Sequence, residues 1–364
     1  MSNRIKLAGF FSSILLAIVL YYGLAPKPDV PVGPVMLPLV EGQKTLSFRG
    51  LHATDDTVVV VGGNNGTFGF SLDAGIHWVF MQIPGASESQ FRSVWAIDHQ
   101  NFLAVSAGAP TYIYKTTNRG HHWDLVFEDT AQSTFLDGMV FVNEQLGFVY
   151  GDPVDGALKL LRTDDGGFNW SEVEGPTSID GEASFAASNS GMQWYNGLLT
   201  INTGGAVSRI HWSADTGKTW SSHYLELIQG LPSQGAFAHV HHGDSVFVVG
   251  GDYMNDTSRV ETAALLRKDS TGMEEWELPQ WSYGLAYCSD VDVDQGRFFF
   301  CGTAGVYFAD SALHSLDTTA MHSLAHSGKY LFAAGPHGRI GRVFTGMQSD
   351  LNRVIKELEQ AQKR

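Results

Sequence analysis

Charge is scarce in this chain and cysteine nearly absent. Only 17% of its 364 residues are charged, with 23 Lys+Arg against 38 Asp+Glu, and the two cysteines are Cys288 and Cys301. The shortage of bases argues against nucleic acid as a partner. The formal net charge is −15, and removing the +2 of residues 1–30 and the +1 of residues 347–364 leaves −18 on the middle of the chain. Binding a phosphate backbone requires Lys and Arg to displace condensed counterions, which so acidic a body does poorly. Two cysteines without C-x-x-C spacing argue against thiol redox chemistry. They flank the turn Asp294-Gln295-Gly296, which leaves either a structural disulfide across a hairpin or two free thiols. Also missing are a G-x-S-x-G elbow, a P-loop and a G-x-G-x-x-G after a strand, so no nucleophile motif is present and no cofactor is expected.

Glycine, by contrast, is abundant: 41 in 364 residues is about 11%, against a usual ~7%, and without a collagen period this favours many tight turns between short strands. A 43% hydrophobic content excludes a disordered chain. The one long apolar run is Leu7 to Ala25, 19 residues without a charge, preceded by Arg4 and Lys6. That length spans a bilayer as a helix. It reads as an uncleaved anchor at residues 1–25, with cleavage after Ala25 as the alternative, disfavoured by Pro26 in the following position. The upstream bases place the N-terminus in the cytoplasm and the main body beyond the membrane. Localisation is therefore expected at a bacterial inner membrane, single-pass, with the body in the periplasm or outside the cell. Residues 26–38 hold five prolines and read as an extended spacer.

The repeat is the main signal. Four segments fit [ST]-x-[DN]-x-G-x-x-W without gaps, around Asp73, Gly75 and Trp78; Asn118, Gly120 and Trp123; Asp165, Gly167 and Trp170; and Asp215, Gly217 and Trp220. The tryptophans stand 45, 47 and 50 residues apart, which suits one four-stranded propeller blade per ~40–50 residues. Lys268 to Trp276 reads as a degraded fifth copy. In such a motif the Asp or Asn bonds backbone N–H groups, Gly takes the left-handed turn and Trp fills the gap between sheets, so these Asp-box residues are structural.

Strand-like runs recur at Leu51–Gly62, Val94–Ala107, Met139–Tyr150, Leu198–Thr203, Val246–Gly251, Arg297–Gly302 and Lys329–Ala334. The expected fold class is all-β: a seven-bladed propeller at 39–346, preceded by one transmembrane helix. The last repeat is too short for four strands, so residues 36–40 are expected to supply its outermost one and hide two sheet edges. At 347–364, Leu351, Val354, Ile355, Leu358 and Ala361 share one face of an amphipathic helix, either docked on the body or offered to a partner.

A family likeness rests on the order Phe48-Arg49-Gly50, Phe91-Arg92, Leu136-Asp137-Gly138-Met139, Gly151-Asp152-Pro153-Val154-Asp155-Gly156, Glu182 to Asn189, Gly204-Gly205 with Arg209, Val249 to Tyr253 and Gly338-Arg339-Ile340. This pattern, running from Leu46 to Val343, resembles the bacterial propellers related to the photosystem II stability and assembly factors of plants and cyanobacteria. The resemblance implies seven blades with Asp boxes (BNR-like repeats) and an assembly role in the lumen or periplasm. The sixth repeat departs from the pattern, since no box tryptophan follows Ala309-Asp310-Ser311.

Propellers bind at the mouth of the central channel, and residues opening the innermost strands point there. The candidate binding set is Arg49, Arg92, Asp137, Asp152, Asp155, Glu182, Arg209, Asp252, Tyr253 and Arg339. Guanidinium groups among carboxylates grip a carboxylate, a phosphate or an acidic peptide, or else pair with one another and hold the repeats in register. The leading expectation is a binding or assembly scaffold for an envelope or membrane protein complex. A sialidase-like or other glycan-acting hydrolase is the enzyme alternative, for which Arg49, Arg92, Arg209, Glu182 and Tyr253 are the plausible set. Its opening Phe/Tyr-Arg-Ile-Pro motif is missing. A glycan- or anion-binding propeller is the third reading. His239 and His241 face one side of a strand, but a lone pair falls short of a metal site and no metal is expected.

Overall fold

Short runs of β-branched and aromatic residues between turn glycines fold the chain into strands throughout. Val58–Val61 and Phe298–Phe300 are examples, buried on both faces or nearly so. The structure, a computed structural model, describes residues 29–41, 44–54, 57–268, 272–328 and 330–361. The anchor expected at Leu7 to Ala25 lies outside the described residues, and no helix among them is long and apolar enough to cross a membrane.

Among the described residues 29 strands form five four-stranded sheets and one nine-stranded sheet, antiparallel throughout. The first sheet runs Phe48–Ala53, Val59–Gly63, Thr67–Ser71 and Val79–Gln82 in chain order from inside to outside. The second, from Gln90–Ala96 to Asp124–Asp129, and the third, from Leu136–Phe141 to Ser171–Glu172, repeat it. In the nine-stranded sheet two such groups, Met192–Tyr195 to Ser221–Tyr224 and Gln234–His242 to Met273–Trp276, join where Gly204 lies opposite Gly235. Inner strands of successive sheets pack side by side, and the ring closes where Phe48–Ala53 meets Ser323–Ser327. The hydrophobic core lies between neighbouring sheets: Phe68 and Phe70 of the first pack on Phe91, Phe102 and Trp123 of the second.

The final sheet takes its outermost strand from the start of the described chain. Pro31–Val40 pairs antiparallel with Ile340–Met347, with Met36 opposite Val343. The segment read as a spacer to residue 38 is thus within the sheet from Pro31 onward; Pro31, Pro34 and Pro38 sit on an edge strand, the place in a sheet that tolerates a missing N–H. The helix Gln348–Ala361 then lies across this edge, burying Leu351, Val354 and Leu358 against Leu37 and Phe344. The body of the protein covers this part of the apolar face, while Ile355 beside it stays exposed.

The four repeated motifs form the turns between third and fourth strands with one hydrogen-bond pattern. In the third, Gly167 N–H donates to Thr163 Oγ1 (2.9 Å), the Thr163 hydroxyl to Asp165 Oδ1 (2.8 Å), and Asn169 N–H to the same oxygen (3.0 Å). Each motif glycine abuts the preceding sheet: a Cβ on Gly167 would lie 2.5 Å from Leu103, and one on Gly75 2.5 Å from Leu39. The Lys268–Trp276 segment differs, because Trp276 is exposed on its strand under the Arg267 guanidinium (3.7 Å) instead of filling an inter-sheet gap.

Cations clasp neighbouring sheets at these turns, Lys115 and Arg342 buried and Arg162 partly exposed, a feature with no signal in the motif. Lys115 Nζ donates to the carbonyl of Gly166 (2.8 Å), Arg162 to that of Thr216 (3.3 Å) and Arg342 to that of Ala74 (2.8 Å). Each acceptor is the residue between the motif Asp and Gly, held at positive φ so that its carbonyl faces the previous sheet. Lys115→Met should therefore lower stability by about 1.5–3 kcal/mol, the scale of a charged hydrogen bond whose buried acceptor is left alone. Exposed Arg119→Met should stay within about 0.5 kcal/mol of the parent. Urea denaturation compares the two, and equal midpoints would show that the Lys115 clasp contributes nothing.

Candidate functional site

The inner strands carry an irregularity in common. In the strands Phe48–Ala53, Gln90–Ala96, Leu136–Phe141 and Gln234–His242 the ladder skips one residue, leaving Arg49, Arg92, Asp137 and Phe237 without a partner across the sheet. A bulge turns its extra residue out of the alternating pattern. All four line one cavity of about 420 Å³ at an end of the central channel, together with Asp152, Tyr253, Tyr287 and His322.

The opposite end is a separate cavity of about 220 Å³, lined by His52, Trp95 and Asp292 among others. Between the two the channel is plugged by the segment 184–191. Asn189 Nδ2 donates to the carbonyls of Leu51 (3.2 Å) and Val94 (2.8 Å), Ser184 N–H donates to Asp152 Oδ1 (2.8 Å), and Phe185 stacks on Phe237 at 4.1 Å. One loop thus binds to three other sheets.

Charge at the first mouth is only partly compensated. Neither Arg49 nor Arg92 forms an ion pair among the described residues; Arg92 donates to Gln90 Oε1 (3.0 Å), and its Nε is buried without a partner. Asp137 is 1% exposed and neither carboxylate oxygen has a hydrogen-bond partner. Burial pushes its pKa well above the ordinary carboxylate value, and Asp152 adds to this while Arg92 opposes it. Burial raises Asp152 too, against the Ser184 N–H bond. Burial, with Arg49 and Arg92 nearby, lowers His322 to about 3, so its ring is neutral at pH 7. Two guanidinium groups without ion-pair partners thus share the mouth with two carboxyls that burial biases toward their neutral form, and guanidinium forks can pair with an anion that has planar oxygens.

No family model matches the chain, and no curated protein does. Among solved structures it is similar to YCF48 bound to D1 peptide, with a TM-score of 0.60 and 15% identity over 86% of this chain and 98% of that one. YCF48 from Cyanidioschyzon merolae gives 0.60 and 9% identity over 85% and 98%, and the computationally designed Ika8 protein 0.50 and 11% over 85% and 99%. The chain folds as a β-propeller. The likeness read from the residues meets YCF48, a photosystem II assembly factor, in fold.

The propeller gathers only half of the expected set at its mouth. Arg49, Arg92, Asp137, Asp152 and Tyr253 line the cavity. Glu182 and Arg209 instead form a buried ion pair with each other, joined by His211. Asp155 occupies a hairpin turn at φ +52°, Asp252 caps the turn after its strand by accepting from Met254 N–H (2.9 Å), and Arg339 lies in the turn following Pro336. The three arginines, acid and tyrosine that a sialidase-like site needs therefore do not converge. His239 and His241 are buried and share the Thr200 hydroxyl (2.7 and 2.9 Å), and no third His, Cys, Asp or Glu joins them among the described residues.

The cysteines are both free and buried, which corrects the disulfide alternative. The register places Cys301 opposite Asp290, so Cys288 is not its cross-strand partner, and the two thiols pack into different core clusters. Tyr287, His322 and Phe237 are site residues that the sequence did not mark. The bulge at Phe237 repeats those at Arg49 and Arg92, but its apolar side chain reads as core.

Proposed function

We propose that this propeller is a binding or assembly scaffold that captures a carboxylate-bearing polypeptide segment of an envelope or membrane protein at the Arg49–Arg92 mouth. The observation that carries the reading is two guanidinium groups without ion-pair partners, turned by bulges into one cavity. A YCF48 propeller of the same fold has been solved with a D1 peptide, which supports a polypeptide as the class of partner. In this proposal the propeller has seven blades with Asp boxes, a reading supported by the two four-stranded groups within the nine-stranded sheet and by the common hydrogen-bond pattern of the four repeated turns. In this proposal Leu7 to Ala25 anchors the chain in the inner membrane and residues 26–30 join it to the propeller on the far side.

The test is a pull-down from gently solubilised membranes with the parent and an Arg49→Glu/Arg92→Glu variant, both checked for folding. The parent should retain a defined envelope protein and the variant should lose it by tenfold or more, since two charge reversals repel a carboxylate (about 1.4 kcal/mol per tenfold). Equal recovery by both places the contact surface elsewhere.

A further inference from the structure

Beside the arginine mouth lies a second cavity that the carboxylate reading leaves unused. It holds about 300 Å³ between the segment 284–288 and the sheet that contains Arg297–Gly302, with walls of Leu285, Tyr287, Cys288, Tyr307 and Leu313. The two cavities adjoin. Tyr287 lines both, and the consecutive residues Thr303 and Ala304 line one each. The loop after the strand Ser245–Asp252 also spans them, with Tyr253 at the arginine mouth and Arg259 at the apolar cavity. Its backbone is tied down where Tyr287 N–H donates to Asp256 O (3.3 Å).

The surface around this path is unusually apolar for so acidic a protein. Four of the twelve exposed large hydrophobic residues among the described ones, Tyr253, Met254, Val260 and Tyr283, fall on this loop and the neighbouring turn. Apolar side chains clustered at the rim of a cavity mark a contact surface more than scattered ones do. Arg259 is exposed there and makes no ion pair among the described residues. Positive charge at both ends of the path and apolar walls between them complement an extended segment that carries a carboxylate and, a few residues away, a large aliphatic side chain.

We infer that the cavity walled by Leu285, Tyr287, Cys288 and Leu313 is a specificity pocket for an aliphatic side chain of the captured polypeptide, read together with the carboxylate held by Arg49 and Arg92. This rests on the carboxylate reading of the mouth and adds to it a second recognition element. A cavity of this volume is at the small end of ligand sites, suited to one or two side chains and too small for a folded domain. Selectivity thus comes from the apolar pocket, and the arginine pair supplies attraction common to any acidic segment.

The probes are N-acetylated hexapeptides of Gly and Ser ending in a free carboxylate, with one Leu moved through the positions and the Leu-free peptide as reference. They are titrated calorimetrically against the full chain in nanodiscs. One Leu position should bind about tenfold tighter than the reference, the scale of burying one such side chain. Ala304→Trp, a change at an exposed rim residue, should abolish that gain and leave the reference affinity as it was. Equal affinity along the Leu series, with the reference still bound, overturns the pocket and leaves the carboxylate reading standing. Failure of every hexapeptide to bind overturns the carboxylate reading. The pocket is then decided by N-acetyl-leucinamide, which has no carboxylate: shifts of the Leu285 and Leu313 methyl resonances support it, and unmoved resonances reject it.

Discussion

Replacing Glu182 by alanine should cost about 3–5 kcal/mol of folding stability, the scale for breaking a buried ion pair from one side. The carboxylate is fully buried. It accepts from the Thr203 hydroxyl, both Nε (3.0 Å) and Nη2 of Arg209, the Nε2–H of His211 (3.1 Å) and the N–H of Ile179 (2.9 Å). Removing it strands a guanidinium that is 7% exposed, with the Thr177 carbonyl (2.7 Å) as its remaining strong partner. His211 is held below its ordinary pKa, chiefly by burial, so at pH 7 it is neutral and gives Glu182 one N–H while its Nδ1 faces the Ser222 hydroxyl (2.7 Å). Burial alone would raise Glu182, but the bonds from His211, Arg209 and Thr203 outweigh it and hold the pKa at about 2. A depressed folded pKa means that the contribution is complete above the unfolded value near 4.3 and fades as pH falls through about 2. Urea midpoints of parent and Glu182→Ala should therefore differ most at pH 7 and converge toward pH 2. Equal midpoints at pH 7 would reject the argument. Because Glu182 stands two residues before the plug 184–191, the variant should also loosen that plug and weaken binding at the arginine mouth.

Glu182 shows where the sequence stops being informative. The repeated motif turns, their spacing and the helix face around Leu351, Val354 and Leu358 were legible because each is a local pattern with a local cause. Arg49, Arg92 and Asp137 were legible as equivalents because each follows an apolar residue at the start of an inner strand. Glu182 enters the candidate set as a residue opening an inner strand, but in its repeat the inner strand is Met192–Tyr195, ten residues later. The intervening residues cross the channel as a plug, and nothing in the alternation of Glu-Ala-Ser-Phe-Ala-Ala-Ser separates a plug from a strand. Cysteine pairing failed for a related reason: hairpin length was readable and register was not. Side chains such as Tyr287 and His322 belong to the site because sheets distant in sequence converge, which no local spacing records.

The Asp137→Asn variant should be more stable than the parent at pH 8 and no more stable at pH 4. Folding buries this carboxyl beside Asp152 and the Tyr150 hydroxyl, itself unpartnered, with Arg92 as an opposing charge. Its folded pKa is raised, so the native state binds a proton that the unfolded chain has released above about pH 4. Over that window native stability falls with rising pH by up to about 1.4 kcal/mol per unit, until the folded pKa is reached. Asparagine has the shape of the neutral acid and removes that proton dependence. Urea unfolding of both proteins at pH 4, 6 and 8 measures it, and parallel curves would mean that Asp137 titrates alike in folded and unfolded chains. The site explains why so unfavourable a residue would be kept. An ionised carboxylate facing Arg92 would compete with an incoming one, whereas a neutral acid leaves the guanidinium free and can itself donate to the ligand. Capture of the carboxylate hexapeptides should accordingly weaken in the parent as Asp137 and Asp152 ionise, and hold to higher pH in the asparagine variant. A parent whose affinity does not change from pH 5 to 9 would separate Asp137 from binding and leave it as a structural burden alone.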